Sequence, residues 1–112
     1  MTNALRQFKA AVFQALAHPT RIAILELLRD QEVAVSVILE RIGLEPANAS
    51  QHLAVLRARH IVTSRKEGNQ VFYSIRDPMI VEILDIMRNY FEVHLEESMA
   101  VLKSAQLEES VE

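Results

Sequence analysis

The chain has 112 residues, 50% of them hydrophobic, with two glycines and three prolines, which fits one folded, mainly helical domain and excludes a disordered or collagen-like chain. It has no cysteine, which excludes disulfides, thiolate metal sites and cysteine nucleophiles; with no apolar run near about eighteen residues and no basic-then-apolar leader, a cytoplasmic protein is expected. The net charge of −3 is unevenly spread: residues 1–40 balance, residues 41–76 carry +4 and residues 77–112 carry −7. A basic middle third on an acidic body is what phosphate binding at one face requires.

In chain order, Leu5, Phe8, Ala11, Val12, Ala15 and Leu16 repeat at helical spacing and predict a first amphipathic helix over Ala4 to Leu16, with Asn3 as its N-cap. Ala17-His18-Pro19-Thr20 breaks it. Proline ends the preceding helix but suits the first position of a new one, which makes His18 a candidate cap. Ile22, Ile24, Leu25, Leu27 and Leu28 make the second helix apolar on two sides, as befits the centre of a small domain. A third helix is expected over Val33 to Ile42, with Val37, Ile38 and Ile42 inward and Gly43 as a left-handed C-cap.

After the turn Leu44-Glu45-Pro46, the stretch from Pro46 to His60 predicts a fourth helix, with Ala49, Leu53 and Leu56 on its core face. Its other face shows Asn48, Ser50, Gln51, His52, Arg57 and Arg59, with small polar groups early and cations late. A helix that lies in the major groove needs this layout, because its N-terminal side chains reach base edges while cations meet phosphates. Helix, Gly-containing turn and polar-faced helix form a helix-turn-helix arrangement. Ile61 to Arg65 and Val71 to Ile75 then change period to that of strands. They flank the turn Glu67-Gly68-Asn69, so a β-hairpin follows, carrying Arg65, Lys66, Asn69 and Gln70 at its tip.

Asp77-Pro78 opens the last helix. Ile80, Ile83, Leu84, Met87, Phe91, Leu95, Met99 and Leu102 line one stripe, widened by Val81, Ile86, Tyr90 and Val101, and residues 105–112 are expected to fray. One small domain cannot cover that stripe. A homodimer through the first and last helices is expected, with Leu5, Phe8, Val12, Ile83, Met87, Tyr90, Phe91, His94, Leu95 and Leu102 at its interface. The fold class is thus mainly α with one β-hairpin: a winged helix-turn-helix of five helices, residues 1–112 forming a single DNA-binding domain with dimerisation helices at both ends.

In DNA binding, Ser50, Gln51 and His52 would probe base edges with Asn48 helping at the helix start. Arg57, Arg59, Arg65, Lys66, Asn69 and Gln70 would hold the backbone from the helix and the wing. Thr20 and Arg21 start the second helix and could add a phosphate contact there, although capping and surface charge are the plainer roles for them. Catalysis finds no support. There is no Gly-rich phosphate loop, and Ser50 and His52, two apart on a helix, point away from each other.

Three segments also resemble the ArsR/SmtB family of bacterial winged-helix transcriptional repressors. They are Ala15-Leu16-Ala17-His18-Pro19-Thr20-Arg21, Ala49 to Arg57, and Glu67-Gly68-Asn69-Gln70-Val71-Phe72-Tyr73. The resemblance implies a dimeric repressor that binds a double-stranded operator, an inverted repeat, and leaves it when an inducer binds. Metal-sensing members carry a Glu-Leu-Cys-Val-Cys pattern where this chain has Glu32-Val33-Ala34-Val35-Ser36. Neither Ala34 nor Ser36 is a soft-metal ligand, so no metal cofactor is expected there. Two alternatives stand beside this reading: a zinc-responsive repressor using His94 and Glu97 of the last helix, and a winged-helix protein-interaction module, suggested by the acidic C-terminal third.

Overall fold

The computed structural model describes residues 2–111. The chain divides into two compact units that meet in sequence at Ile80 and Val81. The first holds α1 (Thr2–Leu16), α2 (Pro19–Leu27), β1 (Val33–Ala34), α3 (Val35–Ile42), α4 (Pro46–Ala58), β2 (Val62–Glu67) and β3 (Gln70–Ile75). The second is built from α5, which starts at Pro78 at the end of the first unit and runs to Val111.

Local chemistry accounts for most of the boundaries. His18 is in extended conformation and its Nδ1 accepts the Thr20 N–H at 3.1 Å, so it caps α2 with Pro19 at the first helical position. Gly43 is left-handed at φ 76°, and both Gly43 and Leu44 donate backbone N–H groups to Leu39 O, which closes α3. Asp77 Oδ1 accepts the Met79 N–H at 2.9 Å at the start of α5. Helix α4 ends differently, with His60 at φ 58°, its N–H bonded to Arg57 O and the Ile61 N–H to Leu56 O. That is a Schellman closure with histidine where glycine is usual.

The core of the first unit is Ala15, Leu16, Ile24, Leu25, Leu28, Val33, Ala34, Ile38, Ala49, Leu53, Leu56, Ile61 and Val62, all buried. The expected inner face of α4, Ala49, Leu53 and Leu56, is part of it. The sheet is antiparallel in the order β1-β3-β2. Glu67 pairs with Gln70 across a two-residue turn in which Gly68 takes φ 62°, as a tight hairpin requires.

Several expectations change. Val33 and Ala34 do not open α3; they form a third strand paired with Tyr73 and Phe72, and α3 begins at Val35. Both residues are buried there, so pairing and burial outweigh the helical pattern. Val37 is exposed, because an eight-residue helix buries only the narrow face around Ile38. Asn3 lies inside α1, which already includes Thr2, and its polar side chain faces water. The helix α5 also continues through 105–111 without breaking, since Ala105, Gln106, Leu107, Glu108 and Glu109 are good helix formers.

Within the second unit, α5 exposes Ile86, Met87, Tyr90, Phe91, Val93, Leu95, Met99, Val101, Leu102 and Leu107. Among the described residues, no helix is long and apolar enough to cross a membrane.

Candidate nucleic-acid interface

Helix α4 is held by its buried side and offers the other. With Ala49, Leu53 and Leu56 in the core, Asn48, Ser50, Gln51 and Arg57 are exposed, as is Arg59 just after the helix. Ser50 and Arg57 do not stand alone. They line one wall of a groove of about 940 Å³ whose other walls are the start of α3, with Ser36, and the wing, with Asn69, Gln70 and Tyr73. Leu39, Leu53 and Val71 form part of its apolar floor. The structure thus brings together Ser50, Arg57, Asn69 and Gln70 from two elements separated in sequence, and adds Ser36 and Tyr73, which sequence reasoning left out. Lys66 is exposed on β2, outside this lining.

Three sequence-predicted residues are already engaged. The Arg65 guanidinium donates from Nε and Nη2 to the Glu32 carboxylate at 2.6–2.9 Å and from Nη1 to Glu67 Oε2 at 2.8 Å. It also lies 4.7 Å from the centre of the Phe72 ring. Hydrogen bonding to Arg65 holds the Glu32 carboxyl below its ordinary pKa, and the two carboxylates raise that of Arg65. In this arrangement Arg65 ties the wing to the loop before β1 and its charge is locally neutralised.

Arg21 faces inward. Its Nε donates to Ala15 O at 2.6 Å and its Nη2 to Gln14 O at 3.1 Å, so it closes the C-terminal carbonyls of α1, while Nη1 lies 3.3 Å from His52 Nδ1. His52 is half-buried, with its ring centre 4.4 Å from that of His18. Burial first, then the charges of His18 and Arg21, lower its pKa below the ordinary imidazole value. The structure therefore sets His52 beside the polar face and not on it. A signal for this lay in the sequence, because His52 is three residues after Ala49 and one before Leu53, which is the edge of the core face. Thr20 is half-buried, and its N–H is taken by the His18 cap.

The metal-site position of the resembled family does not fit a soft metal here. Ala34 is buried in β1 and Ser36 is exposed on α3, so the pair supplies one hydroxyl and no thiolate. His94 and Glu97 are both exposed on α5, and among the described residues no group of three or more His, Asp or Glu gathers into a metal-holding cluster.

Comparison with known proteins agrees with the geometry. Residues 16–65 match a family described as "Helix-turn-helix domain". The chain is 43% identical over 100 residues, covering 88% of each chain, to the uncharacterised HTH-type transcriptional regulator Rv0081 of Mycobacterium tuberculosis. The crystal structure of Rv0081 superposes with a TM-score of 0.79 over 85% of this chain and 96% of that one. Nodulation protein NolR of Rhizobium meliloti is 31% identical over 102 residues, 88% of this chain and 84% of its own. A solution structure from Mycobacterium bovis, of the homodimeric winged helix-turn-helix DNA-binding domain of Mb0332, a possible ArsR-family regulator, is 31% identical with a TM-score of 0.79 over 86% of this chain and 89% of its own. The chain belongs to the ArsR-type family of winged helix-turn-helix transcriptional regulators.

Proposed function

We propose that this regulator is a homodimeric repressor that binds an inverted-repeat operator in double-stranded DNA. The observation that carries the reading is the shared groove, in which Ser50 and Arg57 of α4 face Asn69 and Gln70 of the wing. Ser50 and Gln51, with Asn48 at the helix start, read base edges. Arg57, Arg59, Lys66, Asn69 and Gln70 hold phosphates and set the register. The exposed apolar residues of α1 (Leu5, Phe8) and α5 (Met87, Tyr90, Phe91, Leu95, Leu102) support a dimer interface, with His94 among them and the half-exposed Val12 and Ile83 at its edge. A dimer presents two copies of α4, as paired half-sites require. Release from the operator is by an inducer other than a thiolate-bound metal, a reading supported by Ala34 and Ser36.

The test is fluorescence anisotropy with labelled DNA from upstream of this chain's own gene, titrated through a salt series against unlabelled random DNA. Binding that survives the competitor and weakens steeply with salt is the expected result. Affinity no greater than for random DNA sinks self-regulation and leaves an operator elsewhere or the protein-interaction reading.

A further inference from the structure

The contact between α2 and α4 that Arg21 makes is built for one protonation state. Arg21 is anchored on the α1 carbonyls Gln14 O and Ala15 O, and its Nη1 lies 3.3 Å from His52 Nδ1. A guanidinium can only donate, so a hydrogen bond at this contact requires His52 Nδ1 as the acceptor, which is the neutral ring with its proton on Nε2. On the other side stands His18, rings 4.4 Å apart and inclined at 51°, its own Nδ1 accepting from Thr20 N–H. The groups that act on His52 are its burial, His18 ahead of α2 and Arg21 within α2. Helix α1 contributes carbonyl oxygens, already bonded to Arg21, and no carboxylate is among the influences on the ring.

We propose that protonation of His52 releases α4 from Arg21, so that DNA binding by this chain weakens in mild acid. The added proton sits on Nδ1 and turns acceptor into donor, leaving two donors and two like charges face to face. Ser50 and Gln51 directly precede His52 on the helix. Hydrogen bonds to base edges hold over only a few tenths of an ångström, so a small shift of α4 misaligns them. The lowered pKa of His52 agrees with a contact formed in the neutral state. The sign runs against ordinary electrostatics. A histidine cation gained near a phosphate-binding face strengthens DNA binding as pH falls, whereas loss of this tie weakens it.

This inference rests on the DNA-binding reading, so its test separates the two. Operator affinity is measured by anisotropy from pH 7.5 to 5.5 at constant ionic strength, for the wild type and for His52→Gln. Glutamine keeps an acceptor for Arg21 and does not titrate. The wild-type affinity is expected to fall toward pH 5.5 by less than about tenfold, the limit for one proton taken up below the ordinary imidazole value of 6.5, and the variant profile to stay flat. An affinity that holds or rises in acid overturns the proposal, as does an equal fall in the variant. In parallel, NMR of the free wild-type chain follows the His52 ring and the Ser50 and Gln51 amides through the same range. Amides that move with the midpoint of the ring support release of α4. Amides indifferent to it overturn the proposal even if the variant does not fold or no operator is bound at pH 7.5, the latter result counting against the DNA-binding reading alone.

Discussion

Arg65 on β2 and Glu32, ahead of β1, are 33 residues apart in the chain and close a two-pronged ion pair with N–O distances of 2.6–2.9 Å. The arrangement removes from the wing a cation that its sequence advertises as a phosphate ligand. Replacing both carboxylate partners, Glu32→Gln with Glu67→Gln, leaves the guanidinium without a counter-charge. The double variant is expected to bind DNA more tightly at low salt, with the slope of log affinity against log salt steeper by about 0.9, one more phosphate contact. An unchanged slope means that Arg65 does not reach DNA in either state.

Two helix ends share a left-handed residue but not the same residue type. Gly43 takes φ 76° with open space where a side-chain methyl group would stand, so Gly43→Ala meets backbone strain alone and is expected to cost about 1–2 kcal/mol. His60 carries that strain already at φ 58°. His60→Gly is expected to raise stability by up to about 1 kcal/mol, the relieved strain less the chain entropy of glycine. Urea unfolding with an unchanged slope checks both signs. A destabilised His60→Gly variant shows instead that the 3.0 Å contact from Arg76 to His60 Nδ1 outweighs the strain.

The pair also marks what the sequence discloses. Gly43 is legible because glycine after an apolar-periodic run is itself a local signal, and so are the Ala49, Leu53 and Leu56 face and the Gly68 turn. His60 carries no such signal, since nothing local separates it from an ordinary last-turn histidine. Val33 and Ala34 are a strand only because Phe72 and Tyr73 lie alongside, which no local window contains. The candidate site divides in the same way. The polar face of α4 follows from helical period, whereas the capture of Arg65 by Glu32 and of His52 by Arg21 depends on residues far apart in the chain.

Arg57 and Gln51 test the division of labour on α4. Arg57→Ala removes the cation proposed to hold phosphate and is expected to weaken operator and random DNA alike, lowering the salt slope by about 0.9. Gln51→Ala removes the amide proposed to read a base edge and is expected to cost about 1–3 kcal/mol on the operator while leaving random DNA unchanged. Equal losses on both DNAs for Gln51→Ala assign it to the backbone.

Phe8 on α1 and Phe91 on α5 are both more than 60% exposed in the single chain, an unusual state for large aromatics. Phe91→Glu adds a charge to an already acidic helix, so burying it against a second copy is costly. Sedimentation equilibrium is expected to give the wild type a mass about twice the 12.7 kDa of the chain. The variant is expected to sediment as one chain and to lose operator affinity. A wild-type monomer across micromolar concentrations sinks the dimer.

Stability in acid should fall in two separable steps, because two groups of opposite type both have lowered pKa values. His52 is held below an ordinary imidazole value of 6.5, so the unfolded chain takes up its proton first. Its contribution is complete above that value and is lost as pH falls from 6.5 through the folded pKa. Glu32 is held below an ordinary carboxyl value of 4.5 by Arg65. Its contribution is complete above 4.5 and is lost only as pH falls through its lower folded pKa, so the Glu32 decline begins about two pH units below the start of the His52 decline. Thermal midpoints measured from pH 8 to 3 are expected to show both declines in the wild type. His52→Gln should flatten the upper one and leave the lower, and Glu32→Gln should do the reverse. A single decline abolished by either substitution alone rules out the independent titration expected from separate surroundings: among the described residues His52 contacts Arg21 and His18, and Glu32 contacts Arg65.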